Sequence, residues 1–277
     1  MAEFVKVFNM KGFDRHSTPR WQMVPVSTTD KRWVALRGGA GFTITNSDAA
    51  VVSCTEINKS ALPPGGELQA LQSGDRILEL KGLAKGSARI TATKGSEAVH
   101  LDINTKEKKT VRIVFNFVED SASPKHKTTR VPASAGQWIK EMNYIFNGQA
   151  NVWLENKAAR WVTAPLNLGS TITTTQSGTG EEAHLYPLGE TADCNYFFVW
   201  KMDITDQAGD EDAFAEGKNI VFEDTAGAQV TETMSHELGH VLGLADHYID
   251  ARKRELMYGY TDARGVHLGK DDVNTIH

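Results

Sequence analysis

His236-Glu237-Leu238-Gly239-His240-Val241-Leu242-Gly243-Leu244-Ala245-Asp246-His247-Tyr248 is the stretch on which the reading of this chain turns. Residues four apart share a face only on a helix of 3.6 residues per turn. With His236 set at zero and a step of about 100° per residue, His240 lies roughly 40° away. Val230, Met234, Leu238, Val241 and Leu242 gather on the far side. The segment therefore predicts an amphipathic helix with its apolar stripe in a core and both imidazoles outside it. Asp224 or Thr225 is the expected N-cap by residue type, and Gly243 stands where helices commonly stop.

Two histidines one turn apart with a glutamate between them form H-E-x-x-H, in which the imidazoles bind a metal and the carboxylate handles protons. A catalytic zinc takes three protein ligands and keeps one position open for water. Gly243 can turn the chain back, and three residues later stands Asp246. Spacing favours Asp246 as the third ligand, with His247 as the alternative, and zinc accepts both types. Glu237, about 60° around the helix from His240, is placed to act as general base rather than as a ligand. Leu256-Met257-Tyr258-Gly259-Tyr260 reads as a tight turn whose methionine shapes the floor of the pocket. Glu232, one turn before His236, reads as a solvated glutamate ahead of a supporting partner, and Tyr258 and Tyr260 as packing residues.

In order and type these pieces resemble the metzincin zinc metallopeptidases. The string HELGHVLGLADHY is most similar to the snapalysin-type proteases, whose third ligand is aspartate, and 269–276 resembles the start of the C-terminal helix of matrix-type metalloproteinases. The resemblance is specific over about 236–277 and architectural upstream. It implies Zn²⁺ held by His236, His240 and Asp246, and Met257 in a Met-turn. It also implies an α+β peptidase domain that cleaves proteins or peptides bound extended across the site.

Upstream, residues 20–106 read as short strands between turn residues: Arg32–Leu36, Gly41–Thr45, Ala50–Thr55, Glu67–Leu71, Arg76–Leu80, Ala88–Thr93 and Ala98–Ile103. About seven strands in ninety residues predict an antiparallel sandwich. The piece Lys81 to Thr93 resembles the closing signature of bacterial group 2 Ig-like domains, which implies a spacer or adhesive module. Asn104 to Lys109 is a polar, lysine-rich joint. The expected organisation is thus an all-β Ig-like sandwich over 1–106, with an N-terminal extension, followed by an α+β metzincin-type zinc peptidase domain over 107–277. Within the second part, Thr110–Val118 predicts a strand, Ser134–Phe146 a core-facing helix and Ala150–Leu154 a strand. Cys194–Ile204 and Asn219–Phe222 predict further strands, and the Thr/Ser/Gly-rich Leu168–Glu182 a loop.

Composition bounds the alternatives. A 40% hydrophobic and 23% charged chain is that of a globular protein, and a net charge of −5 supplies no basic footprint for nucleic acid. No apolar run approaches the roughly 18 residues of a membrane span. Met1 to Arg20 shows no signal-like apolar stretch, so the expectation is either a cytoplasmic protein or one acting outside the producing cell after export by another route. Cys54 and Cys194 read as free thiols. Two other functions compete with a zinc endopeptidase. One is an adhesion or binding protein with a structural zinc; the other is a delivered toxin-type peptidase, whose partner would be a cognate inhibitor or immunity protein.

Overall fold

The structure, a computed structural model, describes residues 2–64, 71–175, 177–205, 212–225, 230–260 and 264–277. Its contacts divide the chain into two units: 1–109 with 146–152 and 267–277, and 110–145 with 153–266. The division first crosses near the expected joint at 106–107, but the later pieces 146–152 and 267–277 cluster with the first unit.

The first unit contains β1 (Glu3–Lys6), β2 (Phe13–Asp14), β3 (Arg20–Pro25), β4 (Arg32–Arg37), β5 (Thr43–Asn46), β6 (Val52–Ile57), β7 (Arg76–Gly82), β8 (Gly86–Lys94) and β9 (Glu97–Lys106). They form a four-stranded sheet, β1-β4-β7-β6, and a five-stranded one, β2-β3-β9-β8-β5. Alternation turns Val34 and Leu36 on β4, Ile90 and Ala92 on β8, and Leu101 and Ile103 on β9 into one core shared by both sheets. β8 and β9 join through Gly95-Ser96, where Gly95 at φ 60° supplies the left-handed turn a two-residue hairpin needs. β3 departs from alternation because it is buried along almost its whole length beside β9, to which it runs parallel.

The second unit is built on β10 (Lys109–Glu119), α1 (Ala135–Ala150), β11 (Val152–Thr163), β12 (Ile172–Thr174), β13 (Cys194–Val199), β14 (Met202–Ile204), β15 (Ala213–Glu216), β16 (Asn219–Glu223) and α2 (Val230–Val241), except that Lys109, the end of α1 from 146 and Val152 cluster with the first unit. Its main sheet runs β11-β10-β13-β16-β15, with β13 parallel to both neighbours and β15 antiparallel to β16. β12 and β14 form a separate parallel pair. On one face Phe115, Phe117, Tyr196 and Phe198 project at period two and stack on one another, and Trp138 of α1 lies against Phe198 at 4.9 Å. The Tyr196 hydroxyl donates to the Met234 carbonyl at 2.7 Å, which fixes the height of α2 over the sheet. The last helix, α3 (Lys270–Ile276), belongs to the first unit; Asp14 accepts from the Lys270 amide, and Asp272 from that of Gly269.

This corrects the fold class expected from the sequence. The chain is not an all-β Ig-like sandwich followed by an α+β metzincin-type domain; it is mostly β-sheet, 41% strand against 20% helix, arranged in several sheets. The helical weight of the expectation came from α1 and α2, whose period is easily read. The strand weight was missed where strands do not alternate: β11 runs twelve residues through Glu155-Asn156-Lys157, β12 lies inside the expected loop, and β1, β2, β3 and β15 were not read at all. The strand expected over Glu67–Leu71 falls, apart from Leu71, outside the described residues.

Candidate metal centre

α2 carries His236, Glu237 and His240 and ends as its glycine dictates. Gly243 takes φ 92°; its amide donates to His240 O and the Leu244 amide to Gly239 O, the paired bonds of a Schellman stop. Neither expected N-cap serves α2 among the described residues. Asp224 accepts from Thr128 and Thr129, and Thr225 donates to Glu223; residues 226–229 lie outside the described set.

Past Gly243 the chain returns over the helix, bringing Asp246 to the two imidazoles. His236 Nε2 lies 3.2 Å and His240 Nε2 3.7 Å from Asp246 Oδ1, and the two Nε2 atoms are 3.2 Å apart. The other ring nitrogens settle the chemistry. His236 Nδ1 is 2.8 Å from the Leu256 carbonyl and His240 Nδ1 3.0 Å from the Leu244 carbonyl. A carbonyl can only accept, so each ring spends its proton there and turns a lone pair inward. In neutral rings the 3.2 Å Nε2 contact holds no proton, and three acceptors converge without a donor. A cation bound between them would resolve this. Metal bonds of about 2.0–2.2 Å at tetrahedral angles separate ligand atoms by about 3.3–3.5 Å, close to the spacing found, and two imidazoles with one carboxylate are a set zinc accepts.

His247, the alternative ligand, is placed elsewhere. Its backbone is pinned to the methionine turn, with the amide donating to Met257 O at 2.9 Å and the carbonyl accepting from Gly259 N at 3.1 Å. Its Nε2 lies 3.2 Å from Glu255, within ion-pair distance but outside hydrogen-bond geometry, and Glu255 gives both oxygens to Arg252. Met257 is fully buried beneath α2: a Cβ on Gly239 would stand 2.5 Å from its sulfur. Tyr258 is buried, but Tyr260 is 59% exposed and packs edge-on against the equally exposed Tyr248.

Burial is the main influence on His236 and pushes its pKa below the ordinary imidazole range, against the pull of Asp246. Burial alone would raise the Asp246 carboxyl, but His236, His240 and Arg264 together hold it below the usual range. Glu237 is buried, and its charge, after burial and Cys194, helps raise the Tyr196 phenol far above its usual pKa. Glu232 is half-buried, its carboxyl raised by burial, and it lines an apolar hollow of about 510 Å³ with Tyr144 and Ile145. Arg264 is the residue sequence reading missed. Its guanidinium, held by the Tyr258 carbonyl at 3.0 Å, acts on Glu232, His236 and Asp246. Nothing in its polar surroundings marks it in the sequence. Both cysteines are free and lie outside the histidine cluster, and burial raises both thiols, Cys54 to about 11.

No family model matches the chain, and no curated protein matches it. Among solved structures it is similar to domains 4 and 5 of the S-layer protein SbsC, at 16% identity and a TM-score of 0.21, over 38% of this chain and 53% of that one. It is also similar to domains 5-6 of SbsC, at 16% identity and 0.23, over 40% and 48%. A third match is titin domains Z1Z2 in complex with telethonin, at 15% and 0.18, over 42% and 57%. The chain thus spans about half the length of these structures. No helix among the described residues is long and apolar enough to cross a membrane.

Proposed function

We propose that the chain is a zinc-dependent endopeptidase, with His236, His240 and Asp246 as metal ligands and Glu237 as general base. The observation that carries the reading is the convergence of three acceptor atoms: two imidazole nitrogens whose rings donate their protons to carbonyls, and a carboxylate oxygen. Zinc bound there would supply a Lewis acid for the scissile carbonyl and make water a nucleophile near neutral pH. Glu237 takes the proton of the attacking water on its carboxylate and delivers it to the leaving nitrogen. Asp246 and His240 favour this over a purely structural metal: their side chains are 33% and 29% exposed against 4% for His236, so one side of the cluster faces solvent. α2 packs against β15 and β16, and β15 is the last strand of its sheet, where an extended protein or peptide substrate can add its backbone. The likeness of 236–257 to the metzincin motif supports the same chemistry.

The test pairs elemental analysis with cleavage of a denatured protein such as casein, for wild type and Glu237→Ala. One zinc per chain in both, with cleavage only in wild type and lost to a chelator, is the expected result. Zinc in both with cleavage in neither refutes the peptidase and turns attention to an adhesive role.

A further inference from the structure

The hollow of about 510 Å³ that Glu232 lines lies within the second unit, between α1 and the first turn of α2. Its apolar lining comes from Ile145, Val266 and the ring of Tyr144. Ile145 is buried, whereas Tyr144 is 54% exposed, so the hollow opens to solvent on the Tyr144 side. Most polar groups around it are already spent. The Thr231 hydroxyl donates to one Glu141 oxygen and the Gln137 amide to the other. Those two bonds, with a smaller pull from the charge of Lys140, hold the Glu141 carboxyl below its usual range. Glu232 differs. Among the described residues no hydrogen bond or ion pair closes on its carboxylate. Burial raises that carboxyl, and Arg264 pulls it down only from a distance, because its guanidinium is held by the Tyr258 and Gly259 carbonyls.

A concave space of several hundred Å³ with apolar walls and one polar group left over has the form of a small-molecule site. The walls select an apolar body. The unbonded carboxylate selects a cationic end, and an anionic ligand is repelled by Glu232 and Glu141 together. A bare metal ion is disfavoured, because Glu232 alone offers it ligand oxygens that are not already bonded. We propose that the hollow between α1 and α2 binds a small amphiphilic amine, with its apolar body against Ile145, Val266 and the Tyr144 ring and its ammonium group on Glu232. Glu232 stands one turn before His236, about 6 Å along the helix axis. The hollow therefore adjoins the helix of the histidine cluster, shares no residue with that cluster and needs no metal to form. The competing arrangement is a hollow filled by water alone, with Glu232 solvated.

Phenylbutylamine, phenylbutanol and phenylbutyrate share one apolar body and differ in the charge of the head group. Each is titrated calorimetrically into the full chain in the presence of zinc. The amine binds with a dissociation constant of about 1 mM or below. The alcohol binds about fivefold more weakly, as the loss of one partly exposed ion pair implies, and the butyrate more weakly still. Glu232→Gln brings the amine down to the affinity of the alcohol and leaves the alcohol unchanged. The wild-type carboxylate makes no bond, so the variant keeps its fold and its melting temperature. Tyr144→Ala, at an exposed position, weakens amine and alcohol alike by removing part of the wall. Asp246→Ala leaves amine binding unchanged, which separates the hollow from the histidine cluster. An amine that fails to bind wild type, or binds it no tighter than the alcohol, overturns the proposal in favour of the water-filled hollow. Amine affinity unchanged in Glu232→Gln, or lost in Asp246→Ala, overturns it too, because the ammonium group then sits elsewhere.

Discussion

Gly239 sits between the two histidines, and replacing it with alanine tests how the helix of the proposed metal site is coupled to the methionine turn. In an open helix Gly→Ala stabilises by about 1 kcal/mol. Here the new Cβ would stand 2.5 Å from Met257 Sδ, 3.2 Å from its Cε and 3.5 Å from Leu244 Cδ1. A methionine can usually swing aside, but Met257 is fully buried and has no solvent to swing into. Overpacking of this kind costs about 1–3 kcal/mol, so the net effect is a loss of up to about 2 kcal/mol. That corresponds to a fall in melting temperature of roughly 4 °C for the metal-free protein. The turn that must yield also carries the Leu256 carbonyl, which orients His236, so zinc affinity falls by about tenfold, as when a metal-binding histidine loses its support. Thermal unfolding of the metal-free form and competition with a calibrated chelator measure the two effects separately. Gly239→Ala combined with Met257→Ala costs less than the sum of the single changes, because the added methyl fills part of the space the sulfur vacates. A Gly239→Ala protein as stable as wild type, with unchanged zinc affinity, refutes the reasoning: helix propensity would have won and Met257 would be free to move.

Further outcomes follow from the same geometry. Asp246→Ala lowers zinc affinity by about 100-fold or more, whereas His247→Ala leaves it within about threefold, both read by chelator competition. If His247 rescues binding in Asp246→Ala, its tie to the methionine turn is weaker than two backbone bonds imply. In the metal-free protein His236 and His277 both have pKa values pushed below the ordinary imidazole range by burial. A lowered imidazole pKa means the folded state resists protonation. The stability it confers is therefore present above the unfolded value of about 6.5 and lost as pH falls through the folded one. Unfolding midpoints should drop between pH 7 and pH 5, and His236→Asn should flatten part of that slope; an unchanged slope removes His236 from the account. Asn143 is buried, donating to Leu154 O and accepting from Leu154 N, each at 2.8 Å. Asn143→Ala leaves two buried backbone groups unpaired, at about 1–3 kcal/mol each, and a loss below 1 kcal/mol by urea denaturation would show that water takes its place.

The sequence made the centre legible because its constraints are local. A spacing of four on a helix of 3.6 residues per turn puts His236 and His240 on one face, and Gly243 marks a stop whose bonds the structure contains. The choice between Asp246 and His247 was not legible from spacing alone. The methionine turn, ten residues later, pins the backbone of His247, while Asp246 lies beside both imidazoles, which is what favours Asp246 in the proposed site. Arg264 was invisible for the same reason: its role depends on Tyr258 and Gly259 presenting their carbonyls to it. The sheets were read where strands alternate between buried and exposed residues, as in β8 and β9. They were missed where burial on both sides erases alternation, as in β3, or where exposure does, as in β11.

The two carbonyls that orient the histidines come from the loop that the metal itself would organise. Leu244 lies between Gly243 and Asp246, and Leu256 begins the methionine turn. Helix, ligand loop and turn therefore hold one another before any metal arrives, and little ordering entropy is left to be lost on binding. The arrangement has a cost, because three converging acceptors with no donor among them repel. Stability withheld from the metal-free state in this way returns as metal affinity, since a cation that binds only the folded chain stabilises it in proportion to its occupancy. If the proposed metal binds, a site held rigid by backbone bonds and destabilised by its own lone pairs would take it tightly with little rearrangement. On the proposed peptidase reading, the open side beside His240 and Asp246 is where a substrate would approach.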